Sequence, residues 1–319
     1  MTTTLSPKIL LVGTGAMAKE YAKVLKALKK DFLVVGRGRE NALLFEKTAG
    51  VPAITGGLEK WLKDKNNKIP PVVIVAVNVE KLGLMARLLI VRGAKSILLE
   101  KPGGINLADL AKTKKLAIQN GAKVFVAYNR RFFASVIKAQ KIIKEDGGVL
   151  SFNFEFTEWS QKIAALKKPL SVKKNWLLAN SSHVIDLAFF LGGQPKKMNC
   201  FKAGSLNWHP SGSRYAGAGI SLNGALFSYH ANWESAGRWG VEILTPKQKL
   251  IFRPLEKLAI QKKDGLETEE LLLDNKLETE FKPGLYELVK YFLGSKHNLP
   301  TIQEQVQNAK NYDLINRQR

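Results

Sequence analysis

Three groups of residues in this 319-residue chain have types and spacings that could do chemistry. Gly13-Thr14-Gly15-Ala16-Met17-Ala18 follows an apolar run at once and opens a helical pattern, giving G-x-G-x-x-A in the setting that phosphate binding requires. Gly13 permits a tight turn, Gly15 lets the backbone approach a pyrophosphate, and small Ala18 lets the helix lie close to a sheet. The helix N-terminus at Ala16 and Met17 then offers unpaired N–H groups to phosphate oxygens. Such a turn can also merely join strand to helix; strand, turn and crossover in register favour the dinucleotide. The second group is Glu100-Lys101-Pro102 and Tyr128-Asn129-Arg130-Arg131, each ending an apolar run, the edge where open parallel sheets bind ligands. The third is His183-Val184-Ile185-Asp186. Where a reaction requires a proton to leave or join an oxygen, a histidine titrates in the range that suits this. A lysine ammonium can hydrogen-bond the same oxygen as its charge develops. Without context, a lone helical histidine such as His183 reads as structural; His230, in a strand beside Trp233, is a secondary candidate, and His209 and His297 are not.

The second apolar run ends at Gly36-Arg37-Gly38-Arg39, where an NAD site usually places a carboxylate on the ribose hydroxyls. Arg37 and Arg39 suit a 2′-phosphate instead, which points to NADP, with NAD open because Glu40 could reach a ribose. Solvated arginines on a loop are the bland alternative.

Elements must position these groups. Runs at 9–12, 32–35, 51–55, 72–77, 97–99 and 124–128 alternate with helical patterns, as a parallel sheet with helical crossovers does. Met17, Tyr21, Val24, Leu25 and Leu28 form one helical stripe, and lysines fill the rest of that helix. After Gly147-Gly148 the period changes: Phe152, Phe154 and Phe156 alternate with polar neighbours, and further strand runs lie at 225–233, 239–244, 249–252 and 271–273. Helical patterns cover 184–191, 285–293 and 302–312. The expectation is an α/β Rossmann domain with a parallel sheet over residues 1–127. An α+β domain with an open-faced, mostly antiparallel sheet should follow over 128–319, serving substrate binding and oligomerisation.

Bulk properties narrow the partners. The formal net charge is +23, and residues 1–150 hold 27 basic against 11 acidic residues. The lysines are scattered over successive helices without interleaved aromatics, so an anionic small molecule is expected rather than nucleic acid. A single cysteine, Cys200, excludes an internal disulfide and a multi-cysteine zinc site, so no metal is expected. No apolar run approaches the ~20 residues that cross a bilayer, and residues 1–7 lack a secretory pattern, so a cytoplasmic location is expected.

Taken together, the phosphate turn, Glu-Lys-Pro, Tyr-Asn-Arg-Arg and His-Val-Ile-Asp make the chain resemble, over nearly its whole length, the Gfo/Idh/MocA family. That family is named for glucose-fructose oxidoreductase and inositol dehydrogenase. The resemblance implies an NAD(P)-dependent oxidoreductase of CH–OH groups acting on a carbohydrate or sugar derivative, such as a sugar nucleotide in surface-polysaccharide synthesis. It implies Lys101 and His183 as catalytic residues. Tyr128, Arg130, Arg131, Asn180, Asp186 and His230 would contact substrate. Gly13, Thr14, Gly15, Ala16, Met17, Arg37, Arg39, Val77, Asn78, Glu100, Lys101 and Asn129 would hold the cofactor. A homo-oligomer, dimer or tetramer, is expected through the C-terminal sheet. Ala179 and Ser181 stand where many members carry Asp and Gly before the histidine, which keeps a second reading open: a non-catalytic dinucleotide sensor or regulatory protein on the same fold.

Overall fold

Strands that are apolar on both faces are stable only when helices cover both sides of their sheet. In the computed structural model, which describes residues 8–294 and 299–317, strand β1 (Ile9–Val12) is buried along its whole length. Residues 1–7 and His297, on which two expectations above bear, lie outside the described residues. After β1 come α1 (Ala16–Ala27), β2 (Phe32–Val35), α2 (Arg39–Ala49), β3 (Ala53–Ile54), α3 (Gly57–Lys63) and β4 (Val72–Val75). Then follow α4 (Val79–Val91), β5 (Ser96–Glu100), α5 (Leu107–Gln119) and β6 (Lys123–Ala127). The six strands form one parallel sheet in the order β3-β2-β1-β4-β5-β6. Strand order reverses between β1 and β4, so the chain leaves these neighbours in opposite directions and a crevice opens at their C-terminal ends. The run 51–55 contributes only Ala53–Ile54 to the sheet. Pro52 has no N–H to donate, and β3 is an edge strand.

The rest of the chain builds a second sheet. Its elements are α6 (Ala134–Glu145), β7 (Ser151–Glu155), the short helices α7 (Ser160–Ala165) and α8 (Leu170–Lys174), and α9 (Ser182–Gly192), which is preceded by a π-helical turn, Leu177–Ser181. Strands β8 (Pro195–Ala203), β9 (Arg214–Ser221), β10 (Leu226–Asn232), β11 (Gly240–Leu244), β12 (Gln248–Phe252), β13 (Ala259–Lys262) and β14 (Glu269–Glu270) follow, then α10 (Lys276–Glu280). The order is β14-β13-β12-β11-β7-β10-β9-β8, antiparallel except where β7 meets β10. The phenylalanine alternation has its reason in α9: the Phe189 ring lies 6.2 Å from Phe152 and 5.4 Å from Phe154. The described residues leave the other face uncovered, with Phe201 and Leu226 65% and 62% exposed. This is the expected open-faced, mostly antiparallel sheet. Strand β9, Arg-Tyr-Ala-Gly-Ala-Gly-Ile-Ser, is small at its centre because its neighbour supplies the bulk: the Tyr229 and Phe227 rings occupy the space over Gly217 and Gly219. The apolar run 271–273 stays outside the sheet, whose edge is β14.

Two helices close the chain, α11 (Leu285–Leu293) and α12 (Ile302–Arg317). The chain divides into two compact units, Met1–Tyr128 with Leu285–Gln307, and Asn129–Gly284 with Asn308–Arg319. Residues 285–307 join the first unit because α11 buries Leu285, Leu288, Val289 and Phe292 there, with Phe292 edge-on to Phe125 at 6.0 Å. Gln305 Nε2 donates to the Pro102 carbonyl at 3.0 Å and to the Tyr128 hydroxyl at 2.9 Å. Among the described residues no helix is long and apolar enough to cross a membrane.

Candidate active site

In the first unit a cleft of about 440 Å³ lies over the ends of β1, β2 and β4. Gly13, at φ +124, is irreplaceable twice over: few side chains adopt that angle, and a Cβ there would collide with the Ala76 carbonyl. Gly15 shows the opposite condition. Nothing lies within 4 Å of where its Cβ would be, so the entrance to α1 is open. No side chain caps that helix, and the N–H groups of its first turn, which begins at Ala16, face the entrance without an intrahelical partner. Thr14, Val77 and Asn78 line the cleft, and the Thr14 side chain packs where a Cβ on Gly36 would stand. This is a cradle that a pyrophosphate fits. Arg37 borders the cleft together with Asn41, Glu59 and Lys81, residues the sequence alone did not single out. Arg39 is exposed as the first residue of α2 and is not among the lining residues.

At the end of β5, Glu100 is buried and accepts the Tyr21 hydroxyl of α1 at 2.7 Å. Burial, followed by the charge of Glu100, pushes the Tyr21 phenol well above its ordinary range. Glu100 therefore ties strand to helix. Lys101 is half-buried, follows this anchored carboxylate and is joined to Pro102 by a cis peptide bond. Tyr128 is fully buried, its hydroxyl held by Gln305.

Several expected substrate contacts of the second unit are engaged with one another. Arg131 grips Asp186 through two bonds, Nε to Oδ2 at 2.8 Å and Nη2 to Oδ1 at 2.6 Å, and both side chains are buried. A guanidinium taken out of water needs such a partner, and a two-pronged carboxylate meets its geometry. Phe190 lies against the same guanidinium at 4.6 Å, and Asn308 Nδ2 reaches Asp186 at 3.5 Å. Asn129 Nδ2 donates to the Pro283 carbonyl at 2.9 Å. His230 is exposed on the sheet face away from α9, 3.8 Å from Glu155, so the structure does not bring it to His183.

Around His183 the structure assembles a cluster. His183 stands in the first turn of α9, almost fully buried, its ring 6.0 Å from that of Trp239. The Arg238 guanidinium lies 4.3 Å from the Trp239 ring and 4.6 Å from Trp159, and that of Arg130 lies 4.9 Å from Trp239. Glu158, 2% exposed, accepts from Ser181 Oγ at 2.8 Å, Asn180 Nδ2 at 3.0 Å and Arg238 Nη1 at 3.2 Å. Burial raises its carboxyl above the ordinary value, against the pull of those donors. Burial likewise pushes the Arg130 guanidinium down to about 10, which leaves it charged at neutral pH. Glu158, Arg238 and Trp239 are the residues of this cluster that sequence reasoning missed. One signal was present: the period of Phe152, Phe154 and Phe156 continued by two residues reaches a carboxylate at an inward position.

Comparison with known proteins agrees with this geometry. Residues 7–128 match the model of an oxidoreductase family with an NAD-binding Rossmann fold, Gfo/Idh/MocA. A trans-1,2-dihydrobenzene-1,2-diol dehydrogenase of Oryctolagus cuniculus is 25% identical over 203 residues, covering 59% of this chain and 58% of that relative, somewhat over half its length. Among solved structures, an NAD-binding oxidoreductase from Klebsiella pneumoniae superposes with a TM-score of 0.74 at 17% identity, over 96% of this chain and 95% of that one. Levoglucosan dehydrogenase in complex with NADH and levoglucosan gives 0.75 at 20% identity, over 96% and 95%. These two show the same fold. Over residues 7–128, then, the chain is similar to the Gfo/Idh/MocA family of oxidoreductases with an NAD-binding Rossmann fold.

Proposed function

We propose that the protein is an NAD(P)-dependent oxidoreductase moving a hydride to or from a CH–OH carbon of a carbohydrate or sugar derivative, with NADP preferred. The observation that carries this reading is the open glycine cradle at the reversal of strand order, with Lys101 directly after β5 of the same sheet. Gly13, Thr14, Gly15 and the amides of Ala16 and Met17 would hold the pyrophosphate, Arg37 the 2′-phosphate, and Val77 and Asn78 the far side of the cleft. Nicotinamide, when bound, donates or accepts the hydride. Lys101 donates a hydrogen bond to the carbinol oxygen and stabilises its developing negative charge, and His183 takes or returns the hydroxyl proton.

A non-catalytic dinucleotide sensor is the second reading, favoured by buried Ala179, which offers no carboxylate beside His183. Spectrophotometric assay of NADPH and NADH with a panel of sugars and sugar nucleotides, beside Lys101→Met and His183→Ala, tests the proposal. Turnover lost in both variants supports it; cofactor binding without turnover of any panel member favours the sensor. The uncovered sheet face bearing Phe201 and Leu226 supports a homo-oligomer, to be measured by light scattering.

A further inference from the structure

Buried N–H donors of the second unit that meet no acceptor among the described residues include Trp176 Nε1 and, close to each other, Arg130 Nε and Trp239 Nε1. Buried donors are nearly always paired, so an orphan marks either strain or a missing partner. These two belong to one stack, the Arg130 guanidinium 4.9 Å from the Trp239 ring, and the His183 ring is 6.0 Å from the same indole. The three guanidiniums of the cluster are also served unequally. Arg131 is neutralised by Asp186 and Arg238 by Glu158, whereas no ion pair among the described residues includes Arg130. The charge of Glu256 acts on Arg130, yet no carboxylate among the described residues is in contact with it, so a buried guanidinium stands beside two N–H groups, next to the histidine.

We propose that Arg130 and Trp239 form a carboxylate subsite, and that the substrate is a sugar acid whose carboxylate lies close to the carbon handled by His183. A carboxylate supplies the contact that Arg130 lacks, and its two oxygens match the two donors. Trp239 supplies an N–H rather than a second cation, so the subsite selects for one anionic group without attracting polyanions. The assignment rests on the proposed hydride transfer only in taking His183 as the group that faces substrate.

The test is calorimetric titration of the full-length protein, in the presence of NADPH, with D-glucuronate, D-glucose and inorganic phosphate, so that binding is read without turnover. Glucuronate should bind about tenfold more tightly than glucose. Trp239→Phe keeps a ring and removes the donor, and should weaken glucuronate binding about fivefold while leaving glucose unchanged. Arg130→Met should abolish the preference. Glucuronate binding no tighter than glucose, or unaltered by Trp239→Phe, overturns the subsite, and phosphate binding tighter than glucuronate overturns the carboxylate class. Absence of hydride transfer with any sugar would defeat the proposed reaction while leaving these affinities as they stand.

Discussion

The two units solve their binding problems with different parts of the chain. In the first unit the cleft is made of backbone: a glycine that must be glycine at position 13, an unobstructed one at 15, and the amides of a helix end. In the second, the cluster around His183 is made of side chains drawn from Arg130, Glu158, Asn180, Ser181, Arg238 and Trp239, joined by hydrogen bonds and ring contacts. Backbone sites serve a ligand common to many proteins, since peptide groups are available to any sequence with the right turn. Side-chain sites carry selectivity, since each contact can be altered alone.

Substitutions in the two units should therefore fail differently. The largest effect is expected at Lys101→Met and His183→Ala, with kcat reduced roughly 10²- to 10⁴-fold, the range of general acid–base and electrostatic contributions. NADPH affinity, measured by fluorescence titration, should stay within about threefold, because the phosphate cradle lies elsewhere. Loss of cofactor affinity equal to the loss of kcat would erase the contrast. Next comes Asp186→Ala, which strands a buried guanidinium and should cost about 3–5 kcal/mol in urea unfolding. Arg37→Ala should weaken NADPH about tenfold and NADH hardly at all, as removal of one charge-assisted contact does; Arg39→Ala, outside the cleft, should change neither. Equal effects of Arg37→Ala on both cofactors would reject the 2′-phosphate role.

The smallest effect is a pH slope. Glu158 has a carboxyl raised above the ordinary 4.5, chiefly by burial. Below that value both folded and unfolded states are protonated there, and nothing is lost. As pH rises from it through the raised native value, the unfolded chain releases its proton first and stability declines. Glu158→Gln should remove this part of the slope when unfolding is followed from pH 4 upward; an unchanged slope would place the charge elsewhere.

Legibility followed the same division. The strand, Gly-x-Gly turn and helix of residues 9–27 could be read directly, because their geometry depends on neighbours a few positions away. The engagement of Arg131 by Asp186 could not, since it joins residues 55 positions apart, and local pattern holds no record of which buried charges will meet. Strand β9 was invisible for a related reason: its small residues make sense only once Phe227 and Tyr229 lie over them. Glu158 was readable in principle, as a carboxylate at the next inward step of an alternating run.

The return of residues 285–307 to the first unit bears on how the protein is made. A nascent chain emerging from the ribosome presents β1 to β6 early, but Gln305, which holds Tyr128 and the loop at Pro102, appears only after the whole second sheet has been translated. The nucleotide-binding half must therefore wait, unfinished, until residues 285–307 have been translated. A gene fragment ending near residue 128 should give an aggregation-prone product rather than an independently stable module.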